Sequence, residues 1–245
     1  MANRKNRKPG VRGQRPGPRA SSPSRKGRGL FAFASLVFAG VALASAAGQS
    51  GPSLEQLVGQ VQSRYRAVRT LQAAFTQTYV WGGKTRVESG TAYFARGGLM
   101  RWDYREPKEK LVVSDGKKLW LYIPEENQVT RSSMRLSDDP RVPFPLLVPH
   151  FDLHKLFSKF ELADQALKAE DGDRVLRAYP RRGHEEDYEQ VLMEVTPQFD
   201  VRRLVVFYPD RSVMEFRFDR IEENIALASA LFKFTPPPGA EVIDQ

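Results

Sequence analysis

The chain has 245 residues, no cysteine and a formal net charge of +9. Without cysteine, a disulfide framework, a thiol nucleophile, a thiolate metal site and a lipid-modified cysteine are all excluded. The positive charge sits in residues 1–46, which hold ten Lys/Arg and no Asp/Glu; the rest carries 28 basic against 29 acidic residues, so nucleic-acid binding loses the basic footprint it needs.

Residues 1–29 are rich in Arg, Lys, Gly, Pro and Ser, Leu30 to Ala44 is apolar, and Ala44-Ser45-Ala46 is an A-x-A site. Residues 1–46 therefore read as a secretory signal peptide, cleaved on export. An uncleaved N-terminal anchor is the alternative. Residues 47–245 are read as one domain, long enough to bury a sizeable core.

Ser53 with Gln56 three residues on has the pattern of a capping box. Leu54, Leu57, Val58, Val61, Tyr65 and Val68 then recur at spacings of three and four, which predicts an amphipathic helix of about four turns. From Leu71 the period changes to two through Ala73, Phe75, Gln77 and Tyr79, so the helix feeds a strand. Gly82-Gly83 turns the chain and Thr85 to Ala95 returns it. In the next strand Met100, Trp102 and Tyr104 alternate with Arg101, Asp103 and Arg105. Strands at about 109–114, 118–123 and 127–132 continue the meander. The strand Leu119 to Ile123 is apolar on both faces and must bury both, against protein or ligand. An aromatic, apolar sheet face of this kind suits a lipid.

Between Asp138 and Lys159 four prolines (Pro140, Pro143, Pro145, Pro149) interrupt a strongly apolar segment containing Phe144 and Leu147. Short helices joined by Pro turns follow from this pattern, as either a mobile lid over one opening of the sheet or a fixed crossover in the core. Strands are expected again at 159–168 and 174–179 around Asp171-Gly172-Asp173, at 190–195 and 201–208 around Pro197, and at 212–220. In the last of these Met214, Phe216 and Phe218 face one way and Val213, Glu215 and Arg217 the other. Leu231 to Phe234 reads as a final short strand. About eleven strands result, nearly all antiparallel by their short connections.

The catalytic inventory is poor. No G-x-S-x-G, P-loop or H-E-x-x-H occurs. His150 and His154 flank Asp152, but a third ligand is missing and prolines crowd the segment, so no metal is expected. His184 and Glu185-Glu186-Asp187 read as a solvated loop. Neither an enzymatic activity nor a cofactor is expected.

Four stretches carry a family resemblance: the helix running into Thr70-Leu71-Gln72-Ala73-Ala74-Phe75-Thr76-Gln77; Phe94-Ala95-Arg96 with Arg101-Trp102-Asp103-Tyr104 and Pro107; Val113 to Pro124, with Gln128-Val129; and Phe232-Lys233-Phe234-Thr235-Pro236-Pro237 with Gly239. Together they resemble the LolA family of periplasmic outer-membrane lipoprotein carriers. The resemblance implies an α+β fold: an incomplete antiparallel β-barrel, with the N-terminal helix and short central helices as a lid over an apolar cavity. It implies a monomer that takes acylated lipoproteins from an ATP-driven inner-membrane exporter and delivers them to the outer membrane, directly or through a lipoprotein acceptor. A periplasmic lipoprotein-sensing regulator, or a carrier of another lipid such as a glycolipid, remains the alternative.

On this reading the lipid-binding candidates are Phe75, Met100, Trp102, Tyr104, Leu121, Phe144, Leu147, Met214, Phe216 and Phe218, with ordinary core packing as the alternative for each. Arg96 is the candidate latch. At an apolar mouth a guanidinium needs acceptors, and lid backbone carbonyls would supply them. The alternative is an arginine at a strand end reaching to solvent. Gly97-Gly98 follows Arg96 where the family usually has Pro, which loosens the turn.

Overall fold

The computed structural model describes residues 51–133, 152–181 and 188–245. The expected signal peptide, most of the central proline segment and most of the charged loop lie outside these residues.

Helix α1 (Leu54–Ala67) begins on the expected capping box: Ser53 Oγ accepts from the Gln56 amide, and Gln56 Oε1 accepts from the Ser53 amide. Leu57, Val58, Val61 and Tyr65 are buried, as the periodicity requires. The chain passes directly into the twelve-residue hairpin strands β1 (Thr70–Trp81) and β2 (Lys84–Ala95). Next come β3 (Leu99–Glu106), β4 (Lys110–Asp115), β5 (Lys118–Ile123) and β6 (Gln128–Ser133). After the central segment lie the one-turn helix α2 (Leu153–Leu156), β7 (Phe157–Leu162), β8 (Arg174–Pro180), β9 (Gln190–Val195), β10 (Val201–Phe207), β11 (Val213–Glu223) and β12 (Glu241–Asp244).

All twelve described strands form one open sheet in the order β12-β6-β5-β4-β3-β2-β1-β11-β10-β9-β8-β7. Its two meanders meet where β1 pairs with β11 (Phe75 opposite Phe218, Gln77 opposite Phe216). Three details differ from the sequence reading. Leu231 to Phe234 is not a strand: Ser229–Phe232 is a 3-10 turn ahead of three prolines, which lack the N–H groups a ladder needs. The twelfth strand is β12, beside β6 in the sheet's one parallel pairing among the described residues. The strand expected over 159–168 also stops at Leu162.

One face of the sheet packs beneath α1. The other has two covers. Phe234 lies against Trp120 and Tyr122 with ring centroids 6.3 and 5.8 Å away, which half-buries the second apolar face of β5 under protein. Ala163, Leu167 and Ala169 pack over Val175, Leu192 and Val205 on the same side.

Candidate functional site

The inner face is built from cross-strand rows, because partners in an antiparallel ladder point to the same side. One row runs Ala73, Ala92, Trp102, Val112, Leu121. The next runs Phe218, Phe75, Gly90, Tyr104, Lys110. Gly90 is required there: a Cβ would collide with the Asp103 carbonyl, and the bare position lets the Phe75 and Tyr104 rings close over it, 4.9 Å apart.

Trp102 is the hub. It is 1% exposed and meets Phe75 at 4.8 Å, Phe94 at 5.3 Å, Phe216 at 5.5 Å, and Tyr104 and Phe218 at 6.4 Å. Strands β3 and β11 are three ladder steps apart, about 14 Å on a flat sheet. Rings from the two meet at 5.5 Å only because the sheet curls toward them. Residues at the centre of this concave face fill it themselves.

At the hairpin end the apolar face meets a polar group. Tyr104 Oη donates to Gln77 Oε1 at 2.6 Å. The buried Glu88 carboxylate takes Lys110 at 2.8 Å and Arg86 at 2.6 Å. Lys110 Nζ also lies 3.9 Å over the Tyr104 ring. Burial lowers the Lys110 ammonium's pKa, opposed by the Glu88 contact, and burial beside Glu88 raises that of the Tyr104 hydroxyl. These groups satisfy one another and close that end of the inner face.

The opposite end lies under the C-terminal turn of α1. Arg96, exposed just past β2, donates from Nη2 to the Arg66 carbonyl at 3.1 Å and from Nε to the Val68 carbonyl at 3.4 Å. Both carbonyls belong to the helix end, where the dipole favours a cation. Gln62 Oε1 accepts from the Leu153 amide at 2.7 Å, tying α1 to α2. A small apolar cavity of about 20 Å³ sits beneath this turn, lined by Tyr65, Leu71, Ala73, Phe94, Val201, Phe218 and Ile221. It has room for about one water molecule, not for an acyl chain.

The family model for outer membrane lipoprotein carrier protein LolA matches residues 66–235. The outer-membrane lipoprotein carrier protein of Dechloromonas aromatica is 33% identical over 192 residues, covering 77% of this chain and 88% of that protein. This chain belongs to the LolA family. The carrier protein of Methylibium petroleiphilum is 34% identical over 183 residues, covering 73% of this chain and 84% of that one. Among solved structures the chain is similar to the LolA superfamily protein NE2245 of Nitrosomonas europaea, with a TM-score of 0.41 at 10% identity, covering 75% of this chain and 99% of that one. Membership in the family rests on the sequence matches.

Within this LolA-family sheet, seven of the expected lipid-binding residues come together. Phe75, Met100, Trp102, Tyr104, Met214, Phe216 and Phe218 share one buried cluster. Leu121 lies on the same face, half-buried, opposite Val112. Phe144 and Leu147 lie outside the described residues, as does His150. His154 packs its ring against Phe160 at 5.6 Å. Among the described residues no cluster of metal-ligating side chains occurs, and no helix is long and apolar enough to cross a membrane. Among the described residues the aromatic rings of this cluster pack against one another over the sheet. Sequence reasoning missed most of the cavity lining (Tyr65, Leu71, Ala73, Phe94, Val201, Ile221). Tyr65, Leu71, Ala73 and Phe94 did stand in the apolar periodicity or the family motifs, but nothing in those patterns marked them as lining a common cavity.

Proposed function

We propose that this protein is a periplasmic carrier that shelters the acyl chains of lipoproteins released from the inner membrane and delivers them to the outer membrane. Its cargo would come from an ATP-driven exporter and pass directly, or through an acceptor, into the outer membrane. The observation that carries this reading is the concave inner face, where seven aromatic and methionine side chains converge under a helix held by Arg96.

The energetics explain why such a face should be closed when empty. Burying an acyl chain gains roughly 0.8 kcal/mol per CH₂, so a chain of about sixteen carbons gains on the order of 12 kcal/mol when enclosed. A rigid open chamber of that affinity would not let its cargo go. Here the chain must first displace ring contacts, each aromatic pair holding about 0.5–1.5 kcal/mol beyond its buried area. It must also displace the Arg96 bonds to α1. Net affinity is the difference between acyl burial and the cost of opening, and that difference permits hand-over to a stronger binder. Met100 and Met214 suit irregular apolar contact in the opened state.

Arg96 is the latch in this scheme. Its guanidinium cannot be deprotonated, and it holds the end of α1 through carbonyls no other helix residue can use. Arg96→Leu then folds and still takes cargo, but delivers poorly, because closing no longer competes with the acyl chain. Material co-purified with the protein from periplasm, identified by mass spectrometry, tests the function. Triacylated protein supports it; free glycolipid or a stoichiometric regulatory protein would replace it with another reading.

A further inference from the structure

The end of α1 is held from a second side, away from Arg96. Arg64 Nε donates to Asp200 Oδ1 at 3.0 Å and its Nη1 lies 2.7 Å from Glu223 Oε2. Next to it, Tyr65 Oη accepts from the Val201 amide at 3.1 Å. These bonds run from the helix to the start of β10 and the end of β11, and Tyr65 and Val201 both line the small apolar cavity. Asp200 adjoins the cavity-lining Val201, and Glu223 stands opposite the cavity-lining Leu71 across the β1–β11 ladder.

The sheet is irregular at this place, as it also is in the β2–β3 and β7–β8 ladders. Ladder register shifts between Gln72 and Ala74 on β1, leaving Ala73 without a partner on β11, and again between Val201 and Arg203 on β10. Bulges bend a strand and interrupt pairing. Ala73 and Val201, one at each irregularity, both line the cavity. Two bent strands and a pinned helix end thus surround the same apolar space, and its walls Phe94 and Phe218 touch the Trp102 hub.

We infer that an acyl chain enters beneath the last turn of α1, through the cavity under Tyr65, and that the Arg64–Asp200–Glu223 cluster is the clamp that must release for it to do so. This rests on the carrier reading and adds to it an entry route and a positioning residue, Arg64. The clamp is electrostatic and only partly buried, with side-chain exposures of 34%, 22% and 13%, so water can solvate its charges as they separate. It therefore opens more readily than the apolar packing beneath it. Once it opens, the chain first meets Leu71, Ala73, Val201 and Ile221. It then displaces Phe94 and Phe218, and only after that the Trp102 cluster.

The test uses Asp200→Asn/Glu223→Gln, which keeps side-chain volumes and removes the charges, with Arg64→Gln as an independent second variant. The probe is 11-(dansylamino)undecanoic acid, read by its fluorescence on binding. Because the chain has no cysteine, Ile221→Cys introduces a unique thiol whose maleimide labelling reports occupancy of the entry. The expected result is about tenfold tighter probe binding by both clamp variants at unchanged circular dichroism. Bound probe should slow labelling of Ile221→Cys by at least as much. Wild-type affinity in both variants, with only a lowered melting temperature, would make the cluster an ordinary structural ion pair and overturn the clamp. Probe binding that leaves Ile221→Cys fully reactive would overturn the entry route. Those two results leave the carrier reading standing. Failure of wild type and variants alike to bind the probe would overturn both.

Discussion

Replacing Trp102 separates a lipid-displaceable cluster from an ordinary core. The side chain is buried against five other rings at 4.8–6.4 Å, so Trp102→Ala should cost the empty protein about 3–5 kcal/mol. For a folded unit of this size each kcal/mol shifts the melting temperature by about 2–4 °C, giving a fall of roughly 6–20 °C. In the proposed loaded state those ring contacts are given up to the acyl chain, and the variant loses less there. The difference appears as affinity. A tenfold gain needs only about 1.4 kcal/mol of the truncation cost to fall on the closed state. The assay is the melting temperature of wild type and variant with and without a tripalmitoylated cysteinyl lipopeptide, with Trp102→Leu as the milder substitution. The stabilisation by lipopeptide should be larger in both variants than in wild type. Equal or smaller stabilisation would refute the reasoning and return the cluster to plain core packing.

Arg96→Leu should retain the far-ultraviolet circular dichroism of wild type and bind lipopeptide at least as tightly, yet transfer it to acceptor vesicles more slowly. Wild-type transfer would remove the latch. Tyr104→Phe leaves Gln77 Oε1 without its buried donor and should lower stability by about 1–3 kcal/mol in denaturant titration. Ser53→Ala removes the capping bond of α1 and should cost about 0.5–2 kcal/mol without changing transfer. Burial pushes the Glu215 carboxyl up, but hydrogen bonds from Arg203 and Arg217 outweigh it and hold the pKa below the usual 4.5. Its contribution to stability is fully present above that value and is lost as pH falls through the lower folded value. Glu215→Gln should therefore show a flatter loss of stability in acid, followed as the denaturant midpoint against pH.

Local chemistry made much of this fold legible. Ser53 and Gln56 announced the start of α1, Gly82-Gly83 announced the turn between β1 and β2, and the Met100-Trp102-Tyr104 alternation gave the buried face of β3. Leu231 to Phe234 misled because four residues, Leu-Phe-Lys-Phe, carry no period long enough to tell a strand from a turn. The prolines behind it, which settle the matter, act through missing donors rather than hydrophobicity. Strand β12 was silent because Glu241–Asp244 is short and charged, and its parallel partner lies more than a hundred residues away. The site divides in the same way. Its aromatic rows followed from alternation within strands, whereas the contact of Trp102 with Phe216 depends on pairing β1 with β11. The Arg64 clamp joins residues 136 and 159 positions apart, which no spacing rule reaches.

Calorimetric titration of residues 47–245 with a tripalmitoylated lipopeptide, and with the same peptide lacking its acyl chains, tests the central claim most directly. The account predicts saturable binding of the acylated peptide with a negative heat-capacity change, and no binding of the bare peptide. Equal binding of both peptides, or of neither, would contradict it.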